Sequence, residues 1–225
     1  MEAQYNRFKD ALWFSENPET VMIGGAGGIG TWLSFFLSRI GNNCVIYDDD
    51  LIEEHNMGGQ MFKVKDLGIP KVNAISNIIY EFCGKTPHIF NEKIDRNSPT
   101  HYFMFSAFDN MKARKDMFEV WKKSIPNCPV TPIFIDGRLE LEQLQIFCVT
   151  PDKIEEYEKY LFDDDEVEDA PCTLKQTSHC AAMIGSLMTA FFTNHLTNIH
   201  EREKVRDIPF FYEFFIPVTY TNVIS

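Results

Sequence analysis

The feature that most constrains this 225-residue chain is the run VMIGGAGGIG from Val21 to Gly30. An apolar, β-rich start is followed by Gly25, Gly27 and Gly30 in G-x-G-x-x-G spacing and then by the helical-looking Ile29–Ser38, which predicts strand, tight turn and helix in that order. Gly25 permits the turn, Gly27 lets a phosphate oxygen approach the backbone, and Gly30 lets the helix lie against its strand. The helix N-terminus adds unpaired N–H groups and a partial positive charge, so the turn suits an anion.

The same alternation continues along the chain. Cys44–Tyr47 reads as a second strand that ends in Asp48, Asp49 and Asp50. Asp48 lies about twenty residues past the glycines, where an acidic side chain at a strand end accepts hydrogen bonds from a ribose. Lys71–Phe82 carries Val72, Ile75, Ile78, Ile79 and Phe82 at helical spacing and starts just after Pro70. His88–Ile94 and Tyr102–Ala107 read as strands, the second ending at Phe108-Asp109-Asn110, and Met111–Trp121 reads as a helix. Val130–Ile135 and Leu144–Val149 are later strands, with a turn expected at Asp136-Gly137. The fold class expected is α/β: a Rossmann-like, doubly wound, mostly parallel sheet with helices on both faces and late antiparallel strands, in one domain over residues 1–225. In such sheets ligands sit beyond the strand C-termini, so Gly25–Gly30, Asp48 and Asp109 are expected to converge on one crevice. Residues 151–169 form an acidic segment, expected as a short helix and a loop.

Composition narrows the partners. A formal net charge of −12 argues against a general nucleic-acid or anionic-membrane surface. No secretion leader is visible, and no segment reaches the roughly 20 apolar residues that span a bilayer. Ala181–Phe192 is expected to be a buried helix or dimer contact. The six cysteines are scattered without a C-x-x-C pair, which suggests neither a disulfide framework nor a four-thiolate zinc site and points to a cytoplasmic setting.

Four motifs in order, GAGGIG, DDDLIEEHNMGGQ, GIPK and DNMKAR, resemble those of the ThiF/MoeB/HesA adenylyltransferases, the superfamily that includes the ubiquitin-activating enzymes. The resemblance implies a single ThiF-like adenylation domain that uses ATP and Mg2+ to adenylate a C-terminal carboxylate. The implied substrate is a ubiquitin-like or sulfur-carrier protein with a flexible tail, and the implied assembly is a homodimer. Gly25, Gly27 and Gly28 would face the nucleotide phosphates and Asp48 the ribose, with Asp50 at the same acidic strand end. Asn56 and Lys71 would contact phosphate, and Asp109 would bind the magnesium with Asn110 beside it. The N-terminal YNR is similar to the family's Y-x-R, which would send Arg7 into the neighbouring subunit.

The chain departs from the family at Gly59, where the motif carries arginine. Loss of a cation beside a phosphate costs on the order of 2–4 kcal/mol of transition-state stabilisation, by analogy with one oxyanion-hole donor. APCTLKQTSHC looks like the P-x-C-T-[LI] signature, which makes Cys172, on a crossover loop within 151–180, the candidate thioester nucleophile, with Lys175 and His179 nearby in sequence. A thiolate in a polar loop before a helix is reactive; a cysteine is equally a small buried hydrophobe. Two rival readings stand beside this one. The glycine fingerprint alone fits an NAD-dependent oxidoreductase, and Gly59 fits a nucleotide-binding scaffold that has lost catalysis.

Overall fold

The protein is described from a computed structural model over residues 2–162, 177–201, 203 and 205–225. The strand expected at Val21–Ile23 forms as β1 (Thr20–Gly24), followed by α1 (Gly28–Arg39) and β2 (Asn43–Tyr47). Then come α2 (Lys71–Cys83), β3 (His88–Phe90), β4 (Phe103–Ser106) and α3 (Met111–Lys122). The chain continues through β5 (Ile133–Glu140), β6 (Gln143–Val149), α4 (Ile154–Glu158), α5 (Ser178–His200), β7 (Phe211–Phe215) and β8 (Tyr220–Ile224). All eight strands share one sheet in the order β3-β2-β1-β4-β5-β6-β7-β8. Pairing is parallel from β3 to β5 and antiparallel from β5 to β8.

Strand alternation explains the two layers. Val21 and Ile23 pack on one face with Leu33 and Leu37 of α1, Val72 and Ile75 of α2, and Ile184, Met188 and Phe192 of α5. Met22 points the other way, into a core with Met117, Phe118 and Trp121 of α3 and with Tyr157 of α4. Both faces are covered, so the central parallel strands read as continuous apolar runs.

Three features differ from the sequence reading. Asp136-Gly137 is not a turn: both residues lie inside β5, paired with Phe147 and Ile146 of β6. The chain reverses at Leu141-Glu142, where Leu141 has φ 56°, the left-handed conformation that two-residue hairpins demand. Asp136 is tolerated in the sheet because two arginines neutralise it, and Gly137 leaves room for Met188 of α5, whose Sδ would lie 2.5 Å from a Cβ there. β3 stops at Phe90, short of the expected Ile94. Finally, β7 and β8 extend the sheet beyond every strand named from sequence.

The apolar stretch Ala181–Phe192 is the middle of α5, with Cys180, Ala181 and Ile184 fully buried. Among the described residues no helix is long and apolar enough to cross a membrane. The acidic segment begins, as expected, with a short helix, α4. Cys172 and Lys175 lie outside the described residues.

Candidate functional site

At the C-terminal end of β1 the chain enters Gly25 with φ +92°. Its N–H donates to the Tyr47 carbonyl of β2 (2.8 Å), while the Gly24 carbonyl accepts from Ala107 N–H beyond β4 (2.8 Å). Three strand ends are thus tied at one point. A Cβ on Gly25 would lie 2.8 Å from the Ala107 carbonyl oxygen, and one on Gly30 would lie 1.8 Å from the Gly25 carbonyl oxygen. Neither position accepts a side chain without backbone movement. Gly27 is different: a Cβ there meets nothing within 4 Å. Gly27 is the N-cap of α1 and no side chain caps that helix, so the first backbone donors of α1 have no side-chain partner.

The acidic end of β2 closes one side of this space. Asp48 Oδ2 accepts Ala26 N–H at 2.6 Å and Oδ1 accepts Asp50 N–H at 2.9 Å. Burial raises the Asp48 pKa, against the opposing pull of Lys71 and these two N–H groups. A carboxylate has about four lone-pair sites, so Asp48 fastens the glycine turn and still has acceptor capacity for a hydroxyl. Lys71, the first residue of α2, has a side chain only 8% exposed, and its Nζ lies 2.6 Å from Asp50 Oδ2. Its N–H also donates to the Asp50 carbonyl (2.9 Å). Asp48, Asp50 and Lys71 therefore share one corner.

Asn56 is buried and works within its own loop. Its side-chain oxygen accepts Glu53 N–H (2.8 Å), and its carbonyl accepts from Gly59 (3.2 Å) and Gln60 (2.9 Å). Met61 N–H donates to Thr31 Oγ1 (3.3 Å), which lays this loop against the first turn of α1. Ser178 N–H, at the start of α5, donates to the Gly58 carbonyl (3.1 Å). The N-terminal ends of α1 and α5 thus both face the segment holding Gly59.

Beyond β4, Asp109 is exposed. Asn110 caps α3 by accepting Ala113 N–H (2.9 Å), and its Nδ2 donates to Asp109 Oδ1 (3.4 Å). Among the described residues no cluster of three or more His, Cys, Asp or Glu forms a preassembled metal site. A single carboxylate at a phosphate site nevertheless fits magnesium, which is bound through one or two carboxylates with phosphates and water supplying the rest.

Sequence reading missed a buried ionic cluster behind Asp109. Arg114 donates to the Asp136 carboxylate, to the Gly137 carbonyl (3.2 Å) and to the Phe108 carbonyl, so it fixes the backbone one residue before Asp109. Arg138 Nε (2.8 Å) and Tyr157 Oη (3.0 Å) donate to Asp136 Oδ2. Burial alone would raise the Asp136 pKa, but Arg114 and Arg138 outweigh it and hold the carboxyl below its usual value. The signal was present in DNMKAR and DGR, but only the fold pairs the two.

Arg7 stays apart from the glycine turn. Arg7 is exposed on the N-terminal segment, whose Tyr5 ring packs beside Gly41, just ahead of β2 and at the opposite end of the strands from the glycine turn. It does not enter the site of its own chain. His179 is exposed at the start of α5, its Nε2 3.4 Å from Thr177 Oγ1.

The ThiF family model matches residues 16–215. Among curated proteins, none matches the chain in sequence. Of solved structures, E. coli MccB with ATP superposes with a TM-score of 0.70 at 15% identity, over 92% of this chain and 63% of that one. Selenomethionine PaaA gives 0.67 at 16% identity, over 92% and 64%, and E. coli MccB with MccA-N7isoASN gives 0.72 at 15%, over 99% and 72%. The chain spans less than two thirds of the first two structures. At these identities the likeness establishes the shared Rossmann-like α/β fold.

Proposed function

The chain belongs to the ThiF family, and from that premise we propose that it is an ATP-dependent adenylyltransferase acting on a C-terminal carboxylate. The observation that supports the reading is that the uncapped glycine turn, Asp48 and Asp109 each follow the C-terminal end of one of the adjacent strands β1, β2 and β4, with Lys71 paired to Asp50 beside Asp48. The structures of E. coli MccB with ATP and with MccA support a nucleotide and a second ligand for this fold. The acceptor is a ubiquitin-like or sulfur-carrier protein with a flexible C-terminus, engaged in the cytoplasm by a homodimer in which Arg7 serves the partner's site.

In this mechanism the acceptor carboxylate attacks the α-phosphorus of ATP, the bond to the bridging oxygen breaks, and pyrophosphate leaves with that oxygen's electron pair. The N-terminus of α1 cradles the phosphates, Asp48 holds the ribose, and Lys71 meets the charge that gathers on the departing group. Asp109 would hold magnesium, which supplies further positive charge to the phosphates. Cys172 then takes the acyl group as a thioester and AMP leaves. It stands five residues before Thr177 in sequence and lies outside the described residues.

Gly59 favours a second reading, a scaffold that binds ATP without turning it over. ATP–pyrophosphate exchange separates the two, measured with tail-bearing carrier proteins on the wild type and on Lys71→Ala, Asp109→Ala and Cys172→Ala. The first two substitutions should lower exchange by about a hundredfold or more. The third should leave exchange intact and remove any thiol-sensitive adduct. Exchange indifferent to Lys71→Ala and Asp109→Ala would overturn the adenylation reading, and tight NAD(H) binding with indifference to Mg-ATP would favour the oxidoreductase.

A further inference from the structure

The ammonium meant for the phosphates already has a partner. Lys71 and Asp50 are 2.6 Å apart, but the pair is asymmetric: the lysine side chain is 8% exposed and the aspartate 63%. The buried stem of Lys71 fixes where its tip can be, and the Lys71 N–H bond to the Asp50 carbonyl keeps the two residues in register. Asp48, two residues earlier, accepts the Ala26 and Asp50 N–H groups and acts on Lys71 through its charge, while the 2.6 Å contact is made by Asp50. A phosphate chain arriving at the N-terminus of α1 must therefore displace Asp50 rather than recruit a waiting lysine.

We infer that Asp50 is a positioning and specificity residue: its carboxylate holds Lys71 until a polyphosphate displaces it, and reclaims the ammonium as pyrophosphate departs. This rests on the nucleotide reading above, and it places Asp50 against Lys71 rather than against the nucleotide. The exchange is easy on the side of Asp50, whose side chain swings into water, while Lys71 stays in place because its stem is packed. A polyphosphate carries more charge than a carboxylate and wins the ammonium; a less charged ligand does not. Asp50 thus weakens the binding of every phosphate ligand and hastens release of the leaving group.

The test is calorimetric titration of Mg-pyrophosphate and Mg-ATP into the wild type and Asp50→Asn, with kcat and KM for ATP in the exchange assay. The isosteric asparagine removes only the charge. Expected are about fivefold tighter binding of pyrophosphate, a lower KM for ATP and a lower kcat, because release slows. The same substitution in a Lys71→Met background should gain less, since no ammonium remains to be freed; an equal gain in both backgrounds would make Asp50 a plain repulsive charge and overturn the exchange. Weaker pyrophosphate binding by Asp50→Asn would make Asp50 a direct ligand of the metal or phosphate and overturn it too. Wild-type binding of both ligands with Asp50→Asn no tighter overturns this inference alone. A wild type that takes up neither ligand overturns the nucleotide reading, and this inference with it.

Discussion

Asp48 directly follows β2 and Asp136 lies inside β5, and their surroundings push them in opposite directions. Burial raises the Asp48 pKa, so its contribution to stability is present below the unfolded-state value near 3.8 and is lost as pH rises through the folded value. Asp136 is held low by Arg114 and Arg138 despite its burial, so its contribution is present above 3.8 and is lost as pH falls through the folded value. Asp136→Asn should cost about 3–5 kcal/mol in urea denaturation at neutral pH, because it removes the carboxylate that balances the charges of Arg114 and Arg138. The same variant should show a flatter loss of stability on acidification than the wild type. Sequence could not reveal this role. Asp-Gly is locally a turn signal, and the partner that cancels it, Arg114, stands 22 residues away.

Elements were legible where a period and a stop signal agreed. α2 begins directly after Pro70 and ends at Gly84, whose φ is 65°, so both boundaries carry a residue that explains them. α3 starts at Asn110, which accepts Ala113 N–H. The residue read as a neighbour of Asp109 is thus also a helix cap. Asn110→Ala should destabilise the protein by about 1 kcal/mol, seen as a lower urea midpoint at unchanged slope, with weaker dependence of exchange on Asp109. α5 was less legible. Its apolar centre was visible, but its 23-residue length depends on packing along α1, where a Cβ on Gly185 would lie 3.1 Å from the Leu33 nitrogen. That approach is a fact about two helices, not about either one.

The whole molecule joins a parallel and an antiparallel half through β5, which pairs with β4 on one side and β6 on the other. The apolar layer on each face takes residues from both halves: Val21 and Ile146 in one, Met22 and Phe211 in the other. Shared cores couple the halves, so unfolding should be a single transition in which far-UV circular dichroism and the fluorescence of the three tryptophans, the fully buried Trp121 among them, coincide. Two separated midpoints would show that the C-terminal strands melt independently. The sequence by itself determined the strand-turn-helix at Gly25–Gly30, the order of the motifs and the strand ends on which Asp48 and Asp109 stand, because hydrophobic period and glycine spacing are local properties of the chain. Tertiary structure alone decided that Lys71 rests on Asp50, that Arg114 and Arg138 neutralise Asp136 within a strand, and that Arg7 lies at the far end of its own sheet. Charges and close approaches of that kind depend on which distant segments pack together, and no local pattern encodes the distance between them.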